Sequence, residues 1–484
     1  MSPSLDSNGT SMSIPLWIGG TEQEASSTFD VISPGSGKVC WSAASATSQD
    51  ALKAVEAADK AFASWSKTKP AKRMEVLLKT ASILEGNSAE YAGYMATEMG
   101  IEVSVAQSFM LPIAVGMMRD IAGRTVSICG SVPQCQQDGQ SAIVFKEPYG
   151  VTLGIVPWNS PYIFGVRSAA TAIATGNTTI LKSSELTPRC YWAVGKAFHE
   201  AGLPPGVLNV LSCPPSAAEE IVNTIIEHPA VRHINFTGSA SVGRKIARVC
   251  GQNLKPCLME LGGKNSAIVL EDADLQKAVD GCVEGAFINA GQVCMATDRV
   301  LVHTRVVDQF LDLLKASLAR AASAGSPLPV VATAASKSRL QKVLSEAVSK
   351  GANVVCGSDR QDKVPGASII PTVLKDVDTS TTVWNEENFG PLVAVTTVRS
   401  DEQAVQITNS SEYGLSASIF TRDLRKGFAL ARQIQSGAVH INSMTVQDEA
   451  GLAFGGVKNS GWGRFNSEQG MEEFLVTKVV TWDD

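Results

Sequence analysis

From about residue 150 onward, short runs of β-branched and other apolar residues alternate with longer stretches whose apolar positions recur at helical spacing. Runs at 152–158, 177–183, 207–211 and 233–237 read as strands, with helices at 187–201 and 216–227 between them. Thr187-Pro188 suits an N-cap followed by proline at the first helical position. Strands alternating with helices of this size predict βαβ units and a parallel sheet, so the region reads as a Rossmann-like layer. A second alternation starts near residue 266, with strands at 266–270, 299–303, 353–356, 392–398 and 416–420 and helices at 274–290 and 306–321. Upstream, residues 50–123 read as mostly helical, with Ala/Lys/Glu-rich runs at 51–64 and 71–85.

Two segments fit neither alternation. Residues 132–148 start polar and Gln-rich and then become strand-like, which predicts a hairpin. Residues 473–482 are β-prone and unusually apolar for a terminus, so they call for a partner strand, and a sheet between subunits is one solution.

The length of 484 residues exceeds what one simple core accommodates, and 44% hydrophobic with 18% charged residues describes an ordinary globular α/β chain. A net charge of −6 with no basic stripe argues against a nucleic-acid partner. No apolar run reaches bilayer length. The Ser-rich first fifteen residues lack the pattern of a signal peptide, and the terminal Thr481-Trp482-Asp483-Asp484 is no peroxisomal address, so a soluble cytoplasmic protein is expected. Ten cysteines and five histidines are scattered without a C-x-x-C pair, which predicts neither a metal centre nor a disulfide framework.

One cysteine stands out. Cys294 follows Asn289-Ala290-Gly291-Gln292-Val293, and Glu260 lies upstream in Met259-Glu260-Leu261-Gly262-Gly263-Lys264. A thiol in one glycine-bearing loop and a carboxylate in another are what covalent oxidation of an aldehyde needs, the first to form the adduct and the second to activate water. A buried core thiol is the plainer alternative for any single cysteine. Asn159, after the first strand of the Rossmann-like layer, is either a turn residue or a side-chain donor to the oxyanion formed when a thiolate adds to a carbonyl. Lys182 and Glu185, at the end of the next strand, are either a solvated ion pair or the holders of an adenine ribose. In the second case Glu185 repels a 2′-phosphate and favours NAD over NADP. The turn containing Gly238, Ser239 and Gly243 is either a plain tight turn or a helix N-terminus that takes a pyrophosphate. Glu387 and Phe389 form a solvated corner or grip a nicotinamide ribose and its ring. The glycine-dense run 454–464 predicts a shaped loop.

These motifs, in this order, resemble the NAD(P)-dependent aldehyde dehydrogenase superfamily along essentially the whole chain. The runs 440–450 and 212–217 look most like its salicylaldehyde and vanillin dehydrogenase branch. Ala453 and Phe465-Asn466 depart from the usual pattern around the substrate loop. The resemblance implies Cys294 as nucleophile, Glu260 as general base and Asn159 as oxyanion donor. It also implies Trp158, Lys182, Glu185, Gly238, Ser239, Gly243, Glu387 and Phe389 around NAD, with no metal. The implied fold is α/β and aldehyde dehydrogenase-like: a Rossmann-type cofactor domain (1–130 and 149–261), an α/β catalytic domain (262–440), a β oligomerisation arm (131–148 and 470–484) and a substrate and cofactor loop region (441–469). A homodimer or homotetramer is expected, acting on a small-molecule aldehyde.

Arg167, eight residues beyond Asn159 and about two helical turns along, bears on the substrate. It can pair with a phenolic oxygen of an aromatic aldehyde, with the distal carboxylate of a semialdehyde, or with a protein carboxylate in an ordinary salt bridge. A CoA-acylating enzyme and a non-catalytic relative are the rivals of another class. The presence of Glu260 beside Cys294 and Asn159 speaks against both.

Overall fold

The computed structural model describes residues 13–323, 328–361, 364 and 366–483, so the reading of the first twelve residues lies outside the described residues. The helical run expected over 50–123 forms Ser48–Trp65, Pro70–Gly86, Ser88–Met99 and Leu111–Arg124. The first of these starts at a capping box. The Asp50 N–H donates to Thr47 Oγ1 (3.2 Å) and the Thr47 N–H to Asp50 Oδ2 (3.1 Å), which satisfies two otherwise orphaned donors. Its Ala51, Ala54, Val55 and Ala58 form the buried stripe.

Five parallel strands make the centre of an eight-stranded sheet, in the spatial order Cys257–Leu261, Val231–Gly238, Val151–Ile155, Thr178–Lys182, Leu208–Leu211. Val151–Ile155 and Thr178–Lys182 are buried along their full length, as strands covered by helices on both faces must be. The sheet is not purely parallel. Leu16–Ile18 and Thr21–Gln23 extend one edge and Gly461–Trp462 the other, all antiparallel to their neighbours. The N-terminal strands escaped the sequence reading because two or three residues are too few to show a period. The glycine-dense run, expected as a loop only, contributes the edge strand Gly461–Trp462, where the Trp462 indole N–H donates to the Cys257 carbonyl (2.8 Å).

The chain passes from Val151–Ile155 outward through two strands on one side, then returns to Val231–Gly238 on the other. That reversal opens a crevice between the C-terminal ends of Val151–Ile155 and Val231–Gly238, the place where open α/β sheets bind ligands. Pro188 starts the helix Pro188–Glu200 as expected, but the Thr187 hydroxyl does not cap it and is buried without a partner.

The second sheet runs Asn353–Cys356, Thr372–Lys375, Leu392–Val398, Thr297–His303, Asn265–Val269, Ser416–Phe420, Ala438–Ile441, parallel apart from its first pair. All five strands read from the sequence are present, and Thr372–Lys375 and Ala438–Ile441 add to them. The helix expected over 274–290 is Leu275–Phe287; it stops early because Asn289 and Ala290 are left-handed. The two segments left over pair with each other. Gln140–Pro148 and Leu475–Asp483 form an antiparallel ribbon from Gln140↔Asp483 to Pro148↔Leu475, and bridges Ser131↔Val144 and Gln134↔Ser141 fold the preceding residues back as a hairpin.

Candidate active site

Cys294 is presented by a strained turn. Asn289, Ala290 and Gly291 have φ of 48°, 57° and 69°, a left-handed run that costs about 1–2 kcal/mol per residue with a Cβ. Side-chain bonds hold it. Asn289 Nδ2 donates to the Asn159 carbonyl (3.2 Å). Gln292 Nε2 donates to the Asn289 carbonyl (3.0 Å), while Gln292 Oε1 accepts from the Ala332 N–H (2.8 Å). Gly291 is required, since a Cβ there would lie 2.4 Å from the Gly390 carbonyl oxygen. Asn265 Nδ2 donates to the carbonyls of Cys294 and Ala296 (2.9 Å each), which ties the turn to the second sheet. Such strain, over-determined by polar contacts, is typical of functional turns.

Asn159 reaches the same turn from the first sheet. It is buried, and its Nδ2 donates to the Gln292 carbonyl (3.0 Å). An amide nitrogen carries two N–H groups, so one remains for an oxyanion formed on Cys294. Glu260 comes from the end of Cys257–Leu261, paired in register with Thr237. Both Glu260 oxygens are buried without a hydrogen-bond partner, and burial pushes its carboxyl up to about 7. Arg167, the Cys294 thiol and the Thr237 hydroxyl lie near enough to oppose that rise in part. The thiol itself is held well above its ordinary range, first by burial and then by the charges of Glu260 and Glu387. Burial thus favours the neutral thiol over the thiolate, and Glu260 is the carboxyl that faces it.

Two cavities meet at Cys294. The larger, about 980 Å³, is lined by Trp158, Asn159, Gly238, Ser239, Glu387 and Phe389, among others, and ends at Glu260 and Cys294. Ser239 caps the helix Ala240–Gln252, whose N-terminus opens into this space with Arg244 beside it. Phe389 sits edge-on to Trp158 at 5.8 Å between centroids, held by a left-handed φ of 48°. Burial and the charge of Asp298 push Glu387 up to about 8. It accepts from the Gly263 N–H (3.3 Å), and a Cβ on Gly262 would lie 2.4 Å from its Oε2.

Three of the residues expected around a dinucleotide stand outside this lining. Gly243 faces Leu261, so that a Cβ there would lie 2.6 Å from Leu261 Cδ2, and it serves helix–strand packing. Lys182 and Glu185 lie one strand away from the reversal of strand order, where both bias the buried Cys213 thiol.

The smaller cavity, about 190 Å³, is an apolar tunnel walled by residues such as Met110, Ile163, Phe164, Met295 and Phe454, with Arg167 and Asp448 on one side. Arg167 is 1% exposed, and its Nη2 donates to Asp448 Oδ2, so the ordinary salt bridge is present. Its Nη1 is nevertheless buried without a partner. Asp448 and Asn466, separated from Arg167 by 281 and 299 residues, could not be linked to it by any spacing in the sequence. Asn289 and Gln292 belong to the run before Cys294 and Asn265 directly follows Lys264, but only the folded turn shows their work.

A thiol at the junction of a dinucleotide-sized cleft and a narrow apolar tunnel, faced by a buried carboxyl and a side-chain amide, defines an enzyme that oxidises an aldehyde through a covalent thiol adduct. The aldehyde dehydrogenase family model matches residues 21–480, and the chain belongs to that family. It is 40% identical over 483 residues to vanillin dehydrogenase from Pseudomonas fluorescens, covering 97% of this chain and 98% of that one. Its fold is similar to the crystal structure of a salicylaldehyde dehydrogenase from Pseudomonas putida G7 complexed with salicylaldehyde, with a TM-score of 0.93, 34% identity and 98% of each chain covered. An aldehyde dehydrogenase from Bacillus cereus, solved as an NAD+ complex, matches with a TM-score of 0.92 and 30% identity over 98% of this chain and 97% of that one.

Proposed function

We propose that the protein oxidises an aromatic aldehyde bearing a neutral or phenolic oxygen, salicylaldehyde-like or vanillin-like, to its carboxylate with NAD. The observation that carries this reading is the tunnel: largely apolar, about 190 Å³, with Cys294 and the Asp448-paired Arg167 in its lining. A cavity of about 150 Å³ suffices for benzene. The similarity to a vanillin dehydrogenase and a salicylaldehyde dehydrogenase supports the same class. A semialdehyde with a distal carboxylate fits less well, because Asp448 already neutralises Arg167.

The large cleft suits a dinucleotide in size and in its polar groups: a helix N-terminus for a pyrophosphate, and Glu387 with Phe389 and Trp158 toward Cys294. When bound there, NAD supplies the acceptor for the aldehyde's hydride. The chain's own groups act on either side of that transfer. Glu260 takes the thiol proton, Cys294 Sγ adds to the carbonyl carbon, and the Asn159 amide holds the resulting oxyanion. Once the adduct is a thioester, Glu260 removes a proton from water for the attack that releases the acid.

Arg167→Lys tests the substrate class. Lysine keeps a cation for Asp448 but lacks the second arm of the guanidinium fork. The advantage of hydroxylated benzaldehydes over benzaldehyde in kcat/KM should fall by about 1 to 3 kcal/mol, the worth of one charge-assisted hydrogen bond. Equal losses for both substrates would remove Arg167 from substrate recognition.

Glu185, although outside the cavity lining, is proposed to meet the adenine ribose of the dinucleotide. Its charge should disfavour a 2′-phosphate, giving a clear preference for NAD over NADP, and Glu185→Gln should narrow that preference. An unchanged ratio of the two kcat/KM values would place Glu185 away from the ribose.

The ribbon of Gln140–Pro148 and Leu475–Asp483 exposes Phe145, Val479, Val480 and Trp482. An apolar ribbon of this kind supports its role as an oligomerisation arm in a homodimer or homotetramer. All ten cysteines are free, which suits a cytoplasmic location.

A further inference from the structure

Arg167 is held in a closed ring of three side chains. Its Nη2 donates to Asp448 Oδ2 and its Nε to Asn466 Oδ1 (3.2 Å), while Asn466 Nδ2 donates to Asp448 Oδ1 (2.7 Å). Asn466 Nδ2 also donates to the Glu449 carbonyl (3.2 Å). The guanidinium faces the rings of Phe454, Phe164 and Phe465 at 4.7, 5.5 and 5.5 Å. Both carboxylate oxygens of Asp448 and two of the three guanidinium nitrogens are therefore committed within the protein. Only Nη1 is left, buried and unpaired, and the tunnel lining contains no other Lys or Arg among the described residues.

An ion pair taken out of water loses much solvation, and apolar residues of similar volume often serve stability as well or better. What this pair provides that an apolar wall cannot is a fixed negative charge against an incoming anion, with no net charge of its own. We propose that Asp448 is a specificity-determining residue: by cancelling the tunnel's one cation it excludes aldehydes that carry a second, anionic group, while neutral aldehydes meet no such penalty. The inference rests on the aromatic-aldehyde reading above and names the charge rule within it.

The physical steps are separable. A carboxylate entering the tunnel exchanges water for apolar walls and meets the Asp448 oxygens already bonded to the same guanidinium. Its attraction to Arg167 is offset by repulsion from Asp448, so its lost hydration is not recovered. Glu449, exposed at the tunnel wall, adds a further like charge that solvent screens. A neutral carbonyl or hydroxyl oxygen sheds less hydration and meets no such repulsion. Selectivity then comes from an element that repels the wrong ligand as much as from one that attracts the right one.

The test compares 4-carboxybenzaldehyde with 4-formylbenzamide, which has nearly the same shape but no charge, in the full-length enzyme with NAD. The wild type should strongly favour the amide in kcat/KM. Asp448→Asn, close to isosteric, should shift that ratio at least tenfold toward the carboxylate, as should Asp448→Ser, which removes the charge without placing an N–H against Asn466 Nδ2. Melting temperatures of both variants identify any that fail to fold, and either variant alone decides the outcome. A ratio that stays at the wild-type value in a folded variant, or a parallel loss of both substrates, overturns the role of Asp448. A wild type that prefers the carboxylate, or succinic semialdehyde over benzaldehyde, overturns the aromatic-aldehyde reading itself.

Discussion

Cys294→Ala is expected to abolish aldehyde oxidation, lowering kcat by at least about 10⁴-fold, while leaving NAD affinity nearly unchanged. Removing a covalent nucleophile generally costs this much or more, because the reaction must then find a path without the adduct. The sulfur stands where the two cavities join, so its loss does not touch the helix N-terminus at Ser239 or the Trp158 and Phe389 rings that line the larger one. No other thiol can replace it. Cys190, Cys213, Cys250 and Cys282 are buried elsewhere, and none of the remaining cysteines lines either cavity. Steady-state turnover with benzaldehyde and a fluorescence titration with NAD check the two halves of the expectation. Substantial residual turnover in a folded variant would refute covalent catalysis through Cys294.

Cys294 was legible as a candidate nucleophile because the expected chemistry requires rare residue types in glycine-bearing loops, and such loops keep a recognisable local pattern. The two α/β alternations were legible for a related reason. Parallel strands buried on both faces are continuous apolar runs, as in Val151–Ile155, and their crossover helices are long enough to show a period. Elements of two or three residues, such as Leu16–Ile18 and Gly461–Trp462, carry no period and are defined only by the sheet edges they complete.

The left-handed turn that cuts short the expected helix after Phe287 is paid for by Asn289, Gln292 and Asn265, whose partners come from remote segments. Sequence spacing cannot reveal such long-range bonds. The same holds for Arg167. Its position on the helix after Pro161 suggested a cation near the tunnel, but whether that cation is free or neutralised depends on Asp448 and Asn466 from the far end of the chain. Of the three readings of this arginine, the salt bridge is the one the structure contains, with Nη1 left without a partner.

Glu260→Gln should separate the two chemical halves of the cycle. The amide preserves the shape of the side chain but cannot accept a proton from water, so thioester hydrolysis should stall and steady-state kcat should fall by about 10²- to 10⁴-fold. A burst of NADH, stoichiometric with sites, should remain, because Cys294 is intact and the Asn159 amide still stands over its turn. The burst can be slower than in the wild type, since Glu260 is also the base facing the resting thiol. The pH dependence gives a second handle. With the Glu260 carboxyl pushed up to about 7 by burial, its basic form grows as pH rises through that value, so a hydrolysis-limited kcat should climb along the same limb. Glu387, pushed up to about 8, lines the same cavity and is also able to produce such a limb. Loss of the limb in Glu260→Gln assigns it to Glu260, whereas a limb that persists at the same position assigns it to Glu387. If the burst itself vanished as completely as in Cys294→Ala, Glu260 would be indispensable to forming the adduct, and hydrolysis would not be the step that its loss stalls.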